Sequence, residues 1–377
     1  MKYPFLDLGK VNLPYRDELV AAATRVIDSG RYIGGEEVEA FELEMQKMLR
    51  VPYVVAVSNG LDALRLILRS YVELGAMKPG DEVIVPANTY IASVLAITDA
   101  GLVPVLVDAD IQTMNLDTSL TEEAITSRTR AIMAVHLYGR VVWDETIVGI
   151  ARRNGLKIIE DTAQAIGARS PIPGLYGSDH AGALGDAGAF SFYPTKNIGG
   201  LGDAGAVATH APELAATVRA LANYGSDRRY HNIYTGFNCR MDPVQAAMIR
   251  VKLRHTASEN ADRFARALAY WRTIRNPRVI TPQMSQSVID NVWHQYVVRV
   301  TGGCRDRFRS RLAELGVGTD IHYATPPHRQ PCYNNLPHGK LPVTELLAGE
   351  IVSLPIATGT SVKDASDIAR LINSIEL

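Results

Sequence analysis

The stretch SFYPTKN at residues 191–197 places one lysine, Lys196, after a short aromatic run and three residues before the first of several glycines. A second stretch, LKIIED at residues 156–161, reads as a buried strand that ends in acid at Asp161. The aromatic and proline side chains beside Lys196 form a low-dielectric wall, which lowers the pKa of an amine and favours its neutral form. These two stretches predict a reactive amine close to a carboxylate.

Lys196 and Asp161 together are the residue types that pyridoxal phosphate requires. A lysine amine bonds to the cofactor's aldehyde, and a carboxylate keeps the pyridine nitrogen protonated, so that the ring accepts electrons. Each residue also has an ordinary interpretation, as a solvated surface lysine and as a helix cap or turn former. Glu160 points to the opposite side of the strand, so only one of the two acids can face the ring. We predict pyridoxal 5'-phosphate as the cofactor.

The composition restricts the class of protein. The chain has 377 residues, with 39 Lys and Arg against 40 Asp and Glu, and its formal net charge of -1 gives no general reason to bind nucleic acid or an anionic membrane. The three cysteines lie far apart without metal-ligand spacing, so we expect neither a metal site nor a disulfide framework. Residues 1–7 show no secretion signal and no window is apolar for long enough to cross a bilayer, so we expect a cytoplasmic protein.

Short apolar runs alternate with helix-like segments along the first two thirds of the chain. This alternation predicts an α/β fold in which a mostly parallel sheet is flanked by helices. The predicted strands are 54–57, 82–85, 103–107, 131–135 and 156–159. One predicted helix begins near Leu61, and the others cover 91–100, 120–125 and 145–153. Ligands bind beyond the carboxyl ends of such strands. The residues that follow these ends are Asn59, Pro86 to Asn88, Asp108, His136 and Asp161.

The pattern changes after about Lys252, which predicts a second domain. We divide the chain into a large α/β domain that binds the cofactor (1–252) and a smaller C-terminal α+β domain (253–377). The predicted elements of the smaller domain are helices at 257–274, 305–315 and 368–375 and strands at 293–300 and 319–323.

Gly60 and Leu61 lie at a strand-to-helix junction, where free N–H groups and a partial positive charge suit a phosphate. An ordinary turn has the same pattern. Ser191 offers a hydroxyl to the same phosphate, and Tyr90 offers a ring that stacks on a flat heterocycle or packs in the core. The sequence GLGDAG at 200–205 matches a dinucleotide motif literally, but a β-like run follows it rather than a helix, so we discount nicotinamide binding.

Another group of side chains is assigned to the substrate. His322 and Tyr323 end a predicted strand and reach over the site or form a packed turn. The basic and aromatic loop at 228–231 either binds a diphosphate or is a solvated surface. We expect substrate contacts from Tyr193, Arg228, Arg229, Tyr230, His322 and Tyr323.

The whole set of segments resembles the DegT/DnrJ/EryC1/StrS family of sugar aminotransferases. The resemblance covers nearly the full chain, and its most specific pieces are DEVIVPANTY at 81–90, EDTAQA at 160–165 and SFYPTKN at 191–197. It implies the aspartate-aminotransferase-like fold, which is fold type I of pyridoxal phosphate enzymes. It also implies a homodimer with active sites at the subunit interface.

The resemblance gives each site residue an expected role. Lys196 bonds to the cofactor and acts as the base, and Asp161 contacts the pyridine nitrogen. Gln164 lies against the ring hydroxyl and Tyr90 stacks on the ring. The phosphate is held by Gly60, Leu61 and Ser191, with Asn238 reaching in from the neighbouring subunit.

Within the family, the chain is most similar to enzymes that aminate C3 of a dTDP-3-keto-6-deoxyhexose. Segments 87–93, 190–194 and 233–238 carry this likeness, with departures at Thr162 and Met241 and a longer Pro- and Gly-rich segment at 170–180. It implies transfer of an amino group from L-glutamate to the sugar, in the biosynthesis of an amino sugar for a surface polysaccharide or a glycosylated natural product. The alternatives are amination at C4, a non-catalytic cofactor-binding regulator, and a dehydratase, which would carry histidine instead of Lys196.

Overall fold

The computed structural model describes residues 1–284 and 289–377. Its helices are α1 (Leu8–Asn12), α2 (Arg16–Ser29), α3 (Glu36–Leu49), α4 (Gly60–Glu73), α5 (Ile91–Asp99), α6 (Glu145–Asn154), α7 (Pro212–Ala222), α8 (Pro243–Leu253), α9 (Thr256–Thr273), α10 (Arg305–Glu314), α11 (Pro342–Glu350) and α12 (Val362–Asn373). Its strands are β1 (Tyr53–Val57), β2 (Glu82–Pro86), β3 (Val103–Val107), β4 (Thr129–Val135), β5 (Lys157–Asp161), β6 (Ala187–Ser191), β7 (Gly205–Thr209), β8 (Ser226–Arg228), β9 (His231–Asn232), β10 (Val279–Ile280), β11 (Tyr296–Val300) and β12 (Ile351–Leu354). No helix in the described ranges has both the length and the apolar character of a membrane span.

A sheet of seven strands forms the centre of the described chain, in the order β1-β7-β6-β5-β4-β2-β3. The five strands from β2 to β6 pair in parallel, while β7 runs antiparallel to both of its neighbours. These strands are almost entirely buried, as expected when helices cover both faces of a parallel sheet. The prediction of a mostly parallel sheet flanked by helices is confirmed.

The direction of the strands brings their carboxyl ends to one edge of the sheet. β1 runs the same way as β6, because each is antiparallel to β7, which lies between them. At the end of β1, the side chain of Asn59 accepts a hydrogen bond from the backbone N–H of Asp62 at 2.8 Å and caps the start of α4. The first turn of α4 therefore lies at the same edge as His136, Asp161 and Ser191.

A separate hydrophobic cluster lies in the C-terminal part of the chain. It packs α9, α10 and α12 against β11 and β12, with Tyr270, Trp293 and Tyr296 among its largest buried side chains. Tyr3 from the amino-terminal end also packs there, and its backbone pairs with Val317. The helices and the antiparallel sheet β10-β11-β12 agree with a smaller α+β unit. The boundary at residue 252 stays a prediction.

The predicted strand at 319–323 is wrong. Asp320 exchanges two backbone hydrogen bonds with Ser353, at 3.2 and 2.8 Å, but the pairing is an isolated bridge. After it the chain turns, and the side chains of His322 and Tyr323 bond to Ser353 and Gln164.

The predicted helix at 120–125 is also wrong. The segment forms two short 3-10 turns, at Thr118–Leu120 and Glu122–Ala124. The backbone N–H and the hydroxyl of Ser119 both donate to the side chain of Asp117, at 3.0 and 2.6 Å. These bonds cap the first turn at its amino end, and the second turn ends at Ile125, whose backbone is extended.

Candidate active site

A cavity of about 420 Å³ opens at the carboxyl edge of the sheet. Its walls come from the starts of α4 and α5, the ends of β4, β5 and β6, the loop after β6, and the segments 294–295 and 322–323. The predicted site residues that line it are Leu61, Tyr90, Asp161, Gln164, Ser191, Tyr193, Lys196, His322 and Tyr323. The fold thus brings together side chains that are far apart in sequence.

Lys196 lines the cavity from the loop after β6. Its backbone N–H donates to the carbonyl of Tyr193 at 2.8 Å, which closes a tight turn. Desolvation by the surrounding protein lowers the pKa of its amine to about 8, and the negative charge of Asp161 only partly offsets this effect. Within the described residues no hydrogen bond or ion pair holds this amine, so it is free to react.

The lowered pKa of Lys196 predicts the pH dependence of its reactivity. An amine-selective reagent attacks the neutral amine, so labelling of Lys196 in cofactor-free protein should rise with pH to a midpoint of about 8 and then level off. Asp367 raises the pKa of the exposed Lys363. Labelling of Lys363 should therefore reach its midpoint only at a pH above about 10. Peptide mapping by mass spectrometry measures both lysines in one sample. Equal midpoints would contradict the desolvation of Lys196.

Asp161 is the last residue of β5, and its carboxylate is buried at the cavity wall. The hydroxyl of Ser93 donates to Oδ2 at 2.7 Å, and the backbone N–H of Ala163 donates to Oδ1 at 3.1 Å. These two donors compensate part of the cost of burying the carboxylate. The structure thus keeps an acid with directed hydrogen bonds beside Lys196.

Glu160 faces the opposite side of β5 and has a different environment. Its carboxylate accepts the backbone N–H groups of Gly182, Leu184 and Gly185 at 2.7 to 2.8 Å. The ring of His136 bonds to the same carboxylate at 2.8 Å. Glu160 therefore anchors a loop behind the sheet, and Asp161 is the acid that faces the cavity.

Gly60 and Leu61 provide the first two N–H groups of α4, which have no acceptor within the helix. A Cβ atom on Gly60 would lie 2.7 Å from the Cβ of Ser191, so only glycine allows the helix to start this close to the end of β6. The Ser191 hydroxyl therefore lies beside free N–H groups at the positive end of a helix dipole. A phosphate fits such a place.

Gln164, Tyr90 and Tyr323 form another wall of the cavity. The side-chain oxygen of Gln164 accepts the N–H of Tyr138 at 2.6 Å, and its Nε2 donates to the hydroxyl of Tyr323 at 3.0 Å. Burial raises the pKa of the Tyr323 hydroxyl, which keeps it protonated. The half-exposed ring of Tyr90 lies 5.0 Å from the ring of Tyr323, centroid to centroid.

Sequence reasoning missed His294 and Gln295, which also line the cavity. The amide of Asn197 donates to Asn260 at 3.0 Å, so its oxygen is the acceptor for Nδ1 of His294 at 3.1 Å. Burial and the charge of Lys196 hold the pKa of His294 well below its usual range, so the ring is neutral. The side-chain oxygen of Gln295 is buried and has no partner among the described residues, which leaves it available to a ligand.

Gly60 is not itself part of the cavity wall, although its neighbours Asn59 and Leu61 are, and four other predicted residues lie outside the cavity of their own chain. Arg228, Arg229 and Tyr230 belong to the exposed hairpin of β8 and β9, and Tyr230 is 87% exposed. The guanidinium of Arg229 lies 4.9 Å from the centroid of the Tyr230 ring. Asn238 is exposed, and its backbone pairs with Asn223.

The Pro- and Gly-rich segment at 170–180 lies away from the cavity wall, whereas the glycine motif at 200–205 contributes Asp203 to it. The Pro- and Gly-rich segment at 170–180 is held by an ion pair between Arg169 and Asp179 and by the indole of Trp143, which donates to the carbonyl of Pro173 at 3.3 Å. The glycine motif at 200–205 leads into β7, so the strand predicted after it is present.

Comparisons with known proteins find similarity to sugar aminotransferases along nearly the whole chain. Residues 15–373 match the DegT/DnrJ/EryC1/StrS aminotransferase family. The dTDP-3-amino-3,6-dideoxy-alpha-D-galactopyranose transaminase of Aneurinibacillus thermoaerophilus is 45% identical over 98% of each chain. The solved structure of S. venezuelae DesV has a TM-score of 0.92 at 42% identity, over 99% of this chain and 98% of DesV. Bacillus subtilis NtdA, solved with bound cofactor PMP, has a TM-score of 0.88 at 30% identity, over 99% of this chain and 86% of NtdA.

These likenesses confirm the predicted aspartate-aminotransferase-like fold and pyridoxal phosphate as the cofactor. The cavity fits this cofactor, because it combines an unpaired amine at Lys196, a hydrogen-bonded carboxylate at Asp161 and an open helix start at Gly60 beside Ser191. The chain belongs to the DegT/DnrJ/EryC1/StrS aminotransferase family.

Proposed function

We propose that the protein transfers an amino group from L-glutamate to C3 of a dTDP-linked keto-6-deoxyhexose. The observation that carries the proposal is the presence of an unpaired, desolvated amine and a hydrogen-bonded carboxylate on the walls of one cavity. The similarity to a dTDP-3-amino-3,6-dideoxy-alpha-D-galactopyranose transaminase supports the nucleotide, the position C3 and the 6-deoxy sugar. The product would serve as an amino sugar for a surface polysaccharide or a glycosylated natural product.

Pyridoxal phosphate, when bound, carries the amino group between the two substrates and withdraws electrons from the carbon next to that nitrogen. In the proposed site, Lys196 would hold the aldehyde carbon and Asp161 would hold the pyridine nitrogen. Gln164 would contact the ring hydroxyl, and Tyr90 would contact the ring. Gly60, Leu61 and Ser191 would bind the phosphate.

The amine of Lys196 moves the protons of the reaction. In the first half its Nζ takes the proton from the α-carbon of glutamate, and in the second half it gives a proton to C3 of the sugar. With a pKa of about 8, roughly one tenth of the free amine is neutral at pH 7, against less than about one part in a thousand for an ordinary lysine. Desolvation therefore supplies the neutral amine that takes up a proton, and protonation makes the same amine the acid that releases one.

The carboxylate of Asp161 stabilises positive charge on the ring nitrogen. It is already oriented by Ser93 and Ala163, so little reorganisation accompanies the reaction. A buried carboxylate beside a cationic ring is favourable, because each charge compensates the desolvation of the other. Asp161 thus determines how strongly the ring accepts electrons.

The sugar nucleotide is proposed to contact side chains of two subunits. Tyr193, His322 and Tyr323 line the cavity of their own chain. The exposed loop 228–230 and Asn238 do not, so the proposal assigns them to the site of a neighbouring subunit in a homodimer. An apolar groove of about 440 Å³ along α2, with exposed Leu13, Val20 and Ile27, supports a self-association surface.

Product analysis tests the proposed function directly. Purified protein loaded with pyridoxal phosphate is incubated with L-glutamate and a dTDP-3-keto-6-deoxyhexose, and the sugar is examined by NMR. We expect a new C3–N bond and 2-oxoglutarate in equal amounts. The matched 4-keto sugar is the control for position, and amination of that sugar alone would overturn the assignment to C3. Failure to aminate any nucleotide-linked keto sugar would overturn the function.

A further inference from the structure

We propose that Ser93 and Thr89 are positioning residues, which orient and stabilise the carboxylate of Asp161 through a directed chain of hydrogen bonds. This inference rests on the proposed function, which places Asp161 against the pyridine nitrogen of the cofactor. Ser93 bonds to Asp161 directly, and Thr89 bonds to Ser93.

The chain of hydrogen bonds runs from the start of α5 to the end of β5. Ser93 is the third residue of α5 and is fully buried, and its Oγ lies 2.7 Å from Oδ2 of Asp161. The same Oγ lies 2.8 Å from Oγ1 of Thr89, which is buried and lines the cavity. Both contacts are short and shielded from solvent, where hydrogen bonds to a charge are strongest.

The chemistry of the three groups fixes the direction of the chain. A carboxylate only accepts hydrogen bonds, and a hydroxyl has one proton to donate. The proton of Ser93 therefore points to Asp161, and Thr89 must donate to the oxygen of Ser93. Each hydroxyl polarises the next one toward the negative charge.

A purely local role for Ser93 fits the geometry poorly. Serine and threonine within helices commonly donate to a backbone carbonyl four residues earlier, as Ser366 does to Val362 at 3.1 Å. Ser93 instead reaches a carboxylate that lies 68 positions away in the sequence. Asp161 has only one further donor among the described residues, the N–H of Ala163, so removal of Ser93 takes away half of its protein hydrogen bonds.

The experiment compares two ligands that differ only at the ring nitrogen. Cofactor-free protein is titrated with pyridoxal phosphate and with its 1-deaza analogue, in which carbon replaces that nitrogen, and the ratio of the two dissociation constants is measured. The wild-type chain should prefer pyridoxal phosphate. Ser93→Ala should reduce this preference by roughly tenfold or more, the value of one hydrogen bond to a charged group. Ser93→Thr, which keeps the hydroxyl, should restore most of it.

Two further variants separate the positioning role from packing. Ser70→Ala is the matched control, because Ser70 is also fully buried in a helix, α4, and its hydroxyl has no partner among the described residues. It should leave the ratio unchanged. Thr89→Val keeps the shape of the side chain and removes the donor, so it should reduce the preference by a smaller factor than Ser93→Ala.

The outcomes distinguish this inference from the proposed function. An equal loss of affinity for both ligands in Ser93→Ala would reveal a merely structural serine and overturn the inference. If Ser93→Ala does not fold, an unchanged ratio in Thr89→Val would overturn the directed chain. Equal binding of both ligands by the wild-type protein would instead contradict the placement of Asp161 at the ring nitrogen, which is the part of the proposed function on which this inference rests.

Discussion

Lys196→Ala will abolish amination of the sugar. Loss of proton transfer alone should lower the rate by roughly 10²–10⁴-fold, and the covalent attachment of the cofactor is lost as well. The thermal midpoint should not fall. Burial lowers the pKa of this amine in the folded chain to about 8, so at pH 7 the charged lysine favours the unfolded state and alanine removes that cost. Single-turnover kinetics and thermal unfolding measure the two effects.

The control for Lys196→Ala is Lys363→Ala on the surface. The amine of Lys363 bonds only to the side chain of Asp367 among the described residues, at 2.7 Å on α12. We expect its rate and cofactor binding to equal those of the wild type. Amination at a normal rate by Lys196→Ala would mean that another group is the base. Peptide mapping after borohydride trapping should find the cofactor at position 196 in the wild type.

Asp161→Asn will lower turnover by roughly 10²–10³-fold, the usual effect of removing one preorganised electrostatic partner of a transition state. The amide has nearly the shape of the carboxylate and still accepts one hydrogen bond, so the fold should persist. What is lost is the negative charge beside the ring. Rates of the two half reactions, measured separately by cofactor absorbance, should both fall.

Glu160→Gln is the matched control for Asp161→Asn, because it makes the same change one residue earlier in β5. An amide nitrogen at position 160 faces backbone N–H donors that the carboxylate now satisfies. We expect this variant to lose about 1–3 kcal/mol of stability and to keep its turnover per folded molecule within a few fold. Equal losses of turnover in the two variants would contradict the special role of Asp161.

The sheet was predictable because buried parallel strands are continuous apolar runs. The strand predicted at 103–107 has the observed bounds of β3, and the predicted end of β4 at Val135 is also the observed one. The error at 319–323 arose because a strand needs a partner as well as a pattern. Asp320 meets only Ser353 there, and no local signal reports that the ladder stops after one bridge.

The site was predictable where chemistry and strand ends coincide. Lys196, Asp161 and Ser191 each follow or end an apolar run, so the sequence places them at one edge of the sheet. His294 and Gln295 were missed, although the polar pair within the apolar stretch VWHQYVV at 292–298 was an available signal. Ser93 was missed because its hydrogen bond to Asp161 spans 68 positions of the sequence. Helical spacing alone does not identify so distant a partner.

Asn197 connects the Lys196 loop to C-terminal elements through its side-chain hydrogen bonds. Its amide bonds to Asn260 of α9 and to the carbonyl of Val292, both at 3.0 Å, and its oxygen bonds to His294. Rotation of these C-terminal elements against the sheet would break three buried bonds, at a cost of about 0.5–1.5 kcal/mol each. These bonds hold the Lys196 loop against α9 and the segment 292–294, and they resist rotation of those elements relative to the loop.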